Sequence, residues 1–109
     1  MVKLERTFIY KGVTFEIIKK GKKAVMLDAK ADFYNCKSVE VWQLRYSKDS
    51  YIKGNLIPAR EKKPSNEDYP YCAHQFMESH FNSHDEMMEV ANKRFNEYES
   101  GERPRKIID

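Results

Sequence analysis

The chain has 109 residues, 40% of them hydrophobic, with six Phe, seven Tyr and one Trp, which suffices for one modest core and a single domain over 1–109. Its net charge of +3 is unevenly spread: Met1 to Lys63 holds 15 Lys and Arg against 7 Asp and Glu, whereas Pro64 to Glu102 holds 2 against 9. No apolar run approaches the ~18 residues of a spanning helix and the N-terminus lacks an apolar stretch, so a cytoplasmic protein with no membrane partner is expected, with Cys36 and Cys72 as free thiols.

Arg6 to Ile18 alternates with period two. Phe8, Tyr10, Val13, Phe15 and Ile17 share one face if Lys11-Gly12 makes a two-residue turn, with Gly12 taking the positive φ. Lys19 to Lys22 supplies a second turn, and Lys23 to Ala29 reads as a third strand with Val25 and Leu27 on one face and Ala24 and Met26 on the other. Asp32 to Lys37 breaks the pattern. Ser38 to Tyr46 resumes it, with Trp42, Leu44 and Tyr46 alternating, while Val39 and Val41 call for a bulge or burial on both faces.

From about 47 to 70 the periodicity is lost among Gly54, Pro58, Pro64 and Pro70, which predicts a long irregular loop holding at most a short bridge at Leu56-Ile57. Tyr71 to Met77 reads as a closing strand. Ser83-x-x-Glu86 is a capping box that opens a helix, in which Met87, Ala91, Phe95 and Tyr98 form one apolar stripe and Gly101 ends it. A short basic tail, 103–109, follows. The expected fold is α+β: an antiparallel four- to five-stranded meander sheet with one C-terminal helix on the Phe8/Phe15 face and the other face wet.

The motifs carry little catalytic chemistry. Cys72-x-His74 and His80-x-x-x-His84 have metal-ligand spacings, but His80 precedes the cap and His84 follows it, so the pair shares no helical face. Glu78, His80, Asn82, His84 and Asp85 cluster as in a small metal-dependent nuclease, yet any polar loop before a capped helix has this composition. Neither cysteine lies in an activating motif, and the four glycines are isolated rather than grouped around a phosphate. No enzyme, metal or cofactor is expected.

The charge split points to binding. Lys19, Lys20, Lys22 and Lys23 crowd the second turn and, with Arg45 and Tyr46 and the nearby Lys48, Lys53 and Tyr51, could track a phosphate backbone; Lys on turns and edges also simply keeps them soluble. Glu67, Asp68, Asp85, Glu86, Glu89 and Glu97 offer the opposite: carboxylates that enter a cationic channel built for nucleic acid. Tyr69 and Tyr71, with Trp42, are the aromatic anchor candidates.

At Phe8-Ile9-Tyr10-Lys11-Gly12-Val13-Thr14-Phe15-Glu16, at Val39-Glu40-Val41-Trp42 and at Pro64-Ser65-Asn66-Glu67-Asp68-Tyr69-Pro70 the chain resembles short accessory proteins of bacteriophages and other mobile elements, among them anti-CRISPR-like inhibitors of host defence. The resemblance implies a non-enzymatic protein that occludes a nucleic-acid-handling host enzyme. Direct DNA or RNA binding by the basic strands is the second expectation, and the nuclease the third.

Overall fold

The computed structural model describes residues 2–31 and 37–101. Nine strands precede one helix: β1 Thr7–Tyr10, β2 Val13–Lys20, β3 Ala24–Ala31, β4 Ser38–Gln43, β5 Tyr46–Ser47, β6 Ser50–Ile52, β7 Asn55–Ile57, β8 Arg60–Glu61, β9 Ala73–Met77 and α1 His84–Glu99. The main sheet is antiparallel with order β1-β2-β3-β4-β9, so the α+β expectation holds. Cys36 and the basic tail 103–109 lie outside the described residues.

The first hairpin forms as its alternation requires. Lys11 and Gly12 both have positive φ, 52° and 77°, a twist that matches the right-handed twist of the flanking strands. Phe8 pairs directly with Phe15 and their rings stack at 5.5 Å. A bulge at Ile18 shifts the β2–β3 register between Ile17 and Lys19. It leaves Ile18 exposed, and two residues on Lys20 Nζ lies 2.6 Å from a buried carboxylate, Glu61.

The helix does not take the face expected of it. Met87, Ala91, Phe95 and Tyr98 are its buried stripe, as their spacing requires, but they pack on Ala24, Met26, Val39, Val41 and Phe76. Phe8 and Phe15 are on the opposite face with Val25, Leu27, Trp42 and Ala73. That face is not wet. The Phe8 and Trp42 rings are 6.0 Å apart although β1 and β4 are three strand spacings apart, roughly 14 Å in a flat sheet, so the sheet curls around its own aromatics. Leu4 and Tyr69 pack against them from outside the sheet. The central strands β3 and β4 are therefore buried on both faces, and Val39 and Val41 need no bulge.

The capping box is half formed. Ser83 Oγ accepts from the Glu86 amide at 3.1 Å, but the Glu86 carboxylate accepts from the Asn82 amide rather than from that of Ser83. At the far end Gly101, φ 83°, ends the helix in the left-handed conformation that glycine tolerates without a Cβ clash.

Residues 46–61 are ordered where an irregular loop was expected. Tyr46 pairs with Glu61 and Ser47 with Arg60, and the same register continues to Ser50 opposite Ile57 and Tyr51 opposite Leu56. They form one long hairpin interrupted at Pro58, which has no N–H to give; there Asp49 Oδ1 accepts the Ala59 amide at 2.5 Å instead. The stem β5/β8 is fixed to the body: Val2 bridges to Arg60, and Glu61 Oε1 accepts the Leu4 amide at 2.7 Å. The tip β6/β7 pairs with no other strand among the described residues.

Candidate interaction surfaces

The acidic surface is smaller than the sequence implies. Asp68 is spent internally, 2.5 Å from Arg45 and accepting the Ser65 amide at 2.6 Å. Partial burial would raise its carboxyl, but the Ser65 and Arg45 donors outweigh that and hold it below the usual carboxylate range. Glu97 lies 3.0 Å from Arg94, and Glu86 is the N-terminal cap partner of Asn82. Glu99 accepts the amides of Lys22, Lys23 and Ala24 at 2.9, 2.7 and 3.1 Å, which fixes the β2–β3 turn to the last turn of the helix and lowers its pKa. Glu67, Asp85 and Glu89 are exposed with no ion pair among the described residues.

Nor are the three aromatic anchor candidates alike. Trp42 is 1% exposed and belongs to the core. Tyr69 is half-buried, its hydroxyl donating to Glu40 Oε1, which also accepts from Trp42 Nε1 at 2.9 Å. Burial pushes the Glu40 carboxyl up against the effect of these two donors, and burial beside Glu40 pushes the Tyr69 phenol up as well. This trio ties the segment before β9 to the sheet. Only Tyr71 has its side chain exposed, while its carbonyl accepts from Tyr98 Oη at 3.3 Å.

Of the basic candidates, Lys20 is paired with Glu61, Arg45 with Asp68, and Lys19 lies over the Phe95 ring at 4.4 Å. Lys22, Lys23 and Tyr46 remain exposed. Farther along, Lys48 and Lys53 are exposed beside the ribbon tip.

That tip is the feature the sequence reading passed over. Tyr51 is 74% exposed, Ile52 56% and Leu56 55%. Tyr51 and Leu56 face each other across the ribbon, so they share a face, and Ile52 is on the other. Single exposed apolar residues are ordinary, whereas three on six paired residues leave both faces of one thin element apolar. The signal was present in Lys53-Gly54, whose φ values of 51° and 81° repeat those of the first turn.

The histidines do not converge. His74 is buried in the helix-side core, stacked on Tyr98 with Nδ1 3.4 Å from Tyr98 Oη, while Nε2 has no hydrogen-bond partner among the described residues. His84 is 3.8 Å from Glu78 on the surface. Among the described residues no three His, Cys, Asp or Glu side chains are close enough to hold a metal, and Cys72 is a free thiol. No helix among them is long and apolar enough to cross a membrane. Compared with protein-family models, curated proteins and solved structures, the chain matches none.

Proposed function

We propose that the chain is a non-catalytic binding protein whose contact element is the ribbon Ser50–Ile57, seated in an apolar cleft of a partner protein. The observation that carries this reading is the exposure of Tyr51, Ile52 and Leu56 on a ribbon that no other strand among the described residues covers, its base held by the Asp49–Ala59 hydrogen bond. Aliphatic groups gain nothing from a phosphate surface, so Ile52 and Leu56 favour a protein, and Lys48 and Lys53 favour acidic groups at the cleft rim. A ribbon filling such a cleft excludes whatever else would enter it. Occlusion of a nucleic-acid-handling host enzyme, implied by the resemblance to mobile-element proteins, is kept as the mode of action, but it rests on the ribbon rather than on a carboxylate face.

The test compares wild-type chain with Tyr51→Ser/Leu56→Ser as bait in extracts of the natural source. One protein retained by wild type and lost by the variant is expected, with unchanged circular dichroism. Equal retention by both would refute the ribbon as the contact element.

A second reading, direct nucleic-acid binding, is favoured by Lys48 and Lys53, which are exposed beside the ribbon tip and have no ion pair among the described residues. It predicts a mobility shift of DNA or RNA at physiological salt that weakens steeply as salt is added. An absent shift at that salt removes it.

A further inference from the structure

Among the described residues the outer edge of β9 is unpaired. Because the Gln43 amide donates to Cys72 O at 2.7 Å and the Glu78 amide to Lys37 O at 2.9 Å, the backbone groups of Cys72, His74, Phe76 and Glu78 turn toward β4. Those of Gln75 and Met77 consequently turn away from it, at the end of the sheet where no strand follows among the described residues. Unlike Ala73, which is fully buried, Gln75 is exposed and Met77 half-buried. This is a short row of N–H and C=O groups ready to accept another strand.

Two hollows flank this edge, one on each face of the sheet, and Gln75 lines both. On the helix face a cavity of about 410 Å³ has Phe76, Phe81 and Val90 as its apolar wall, with Lys93 and Arg94 beside them. On the curled face a cavity of about 380 Å³ is lined by Tyr10, Lys11, Asn66, Tyr69 and Glu40. Lys11 Nζ donates to Asn66 Oδ1 at 3.2 Å and neither Lys11 nor Lys93 has a carboxylate partner among the described residues. A strand laid on Gln75 sends successive side chains to opposite faces, hence alternately into the two hollows.

We infer that the β9 edge is a strand-addition site for an extended peptide of another protein, reading the pattern apolar–acidic–apolar. The residue opposite Gln75 shares its face and meets Lys11 and Asn66, which suits a carboxylate. Its two neighbours reach the Phe76 side, where Phe81 and Val90 take an apolar group. Main-chain hydrogen bonds to Gln75 and Met77 supply affinity and the two hollows supply specificity. The inference is independent of the ribbon, so either contact can fail alone.

The probe is a capped synthetic heptapeptide of alternating Leu and Glu, with alternating Leu and Lys as control, titrated into the full chain. Binding of the Leu/Glu peptide with slowed amide exchange at Gln75 and Met77 is expected. Gln75→Pro removes an N–H that the β4 ladder does not use, so it should leave the thermal midpoint unchanged and weaken the peptide at least tenfold. Lys11→Glu should weaken it while sparing the fold, and the Leu/Lys peptide should bind more weakly than Leu/Glu. Absence of binding at millimolar peptide, unaltered exchange at saturation, or equal affinity for Gln75→Pro would each overturn the site. A dimer in sedimentation that Gln75→Pro dissolves would overturn the peptide occupant in favour of a second copy of the chain.

Discussion

Two hairpins in this molecule are turned by the same dipeptide. Lys11-Gly12 and Lys53-Gly54 have φ values within a few degrees of each other, and both join strands bearing aromatic and β-branched residues. Yet Phe15 is buried, and Tyr51 is 74% exposed. Turn chemistry is local and sets the ribbon; burial is decided by neighbours. The first hairpin has β3 beside it and a curled sheet to close over its rings, whereas the second has only Asp49, Pro58 and Ala59 at its base.

The comparison breaks most sharply under truncation of a ring. Phe15→Ala should cost about 3–5 kcal/mol in urea unfolding, the range for emptying a packed aromatic site, while Tyr51→Ala should stay within about 0.5 kcal/mol. Comparable losses at both positions would show that the ribbon packs on the body after all.

Acid should act on the sheet and spare the ribbon. Burial, with Arg94 nearby, holds His74 down at about 4 from an ordinary 6.5, and the rings of Tyr98 and Phe76 also face it. A depressed histidine stabilises fully above the unfolded value and loses that contribution as pH falls from about 6.5 to 4, by up to about 3 kcal/mol. Glu40 acts in the opposite sense, because its raised carboxyl makes stability decline as pH climbs above 4.5. Denaturation across this window should therefore show a loss toward acid that steepens in Glu40→Gln and vanishes in His74→Phe.

The smallest effect is the most discriminating. An alanine at either turn glycine meets a positive φ, which costs a side chain about 1–2 kcal/mol. Gly12→Ala should lower global stability by that amount. Gly54→Ala should fray the tip alone, raising amide exchange in Ser50–Ile57 while the thermal midpoint stays put.

What was legible in the sequence was local. The first hairpin, the split of Val25 and Leu27 from Ala24 and Met26, and the stripe Met87, Ala91, Phe95, Tyr98 all follow from periods of two and 3.6. Which face the helix covers is a competition among surfaces distant in sequence. Phe8 and Phe15 looked like the better partner, but they meet Trp42 instead, and the smaller side chains of Ala24, Val39 and Val41 leave room for the helix. The ribbon was hidden by Pro58, read as a breaker when it interrupts only one step of a register that resumes on either side. Likewise Tyr69, nominated as an anchor, closes on Glu40, a pairing 29 residues long that no short motif announces.

The Glu99 carboxylate reaches back 77 residues to the Lys22 amide, so the second turn of the chain is completed by the final turn of its helix. Closing so large a loop carries an entropic cost that must be met before the contact gives anything back, which places it late in folding. The Lys22 and Lys23 amides are therefore remote gauges of helix docking: they should become protected only when α1 has seated, well after the first hairpin has formed.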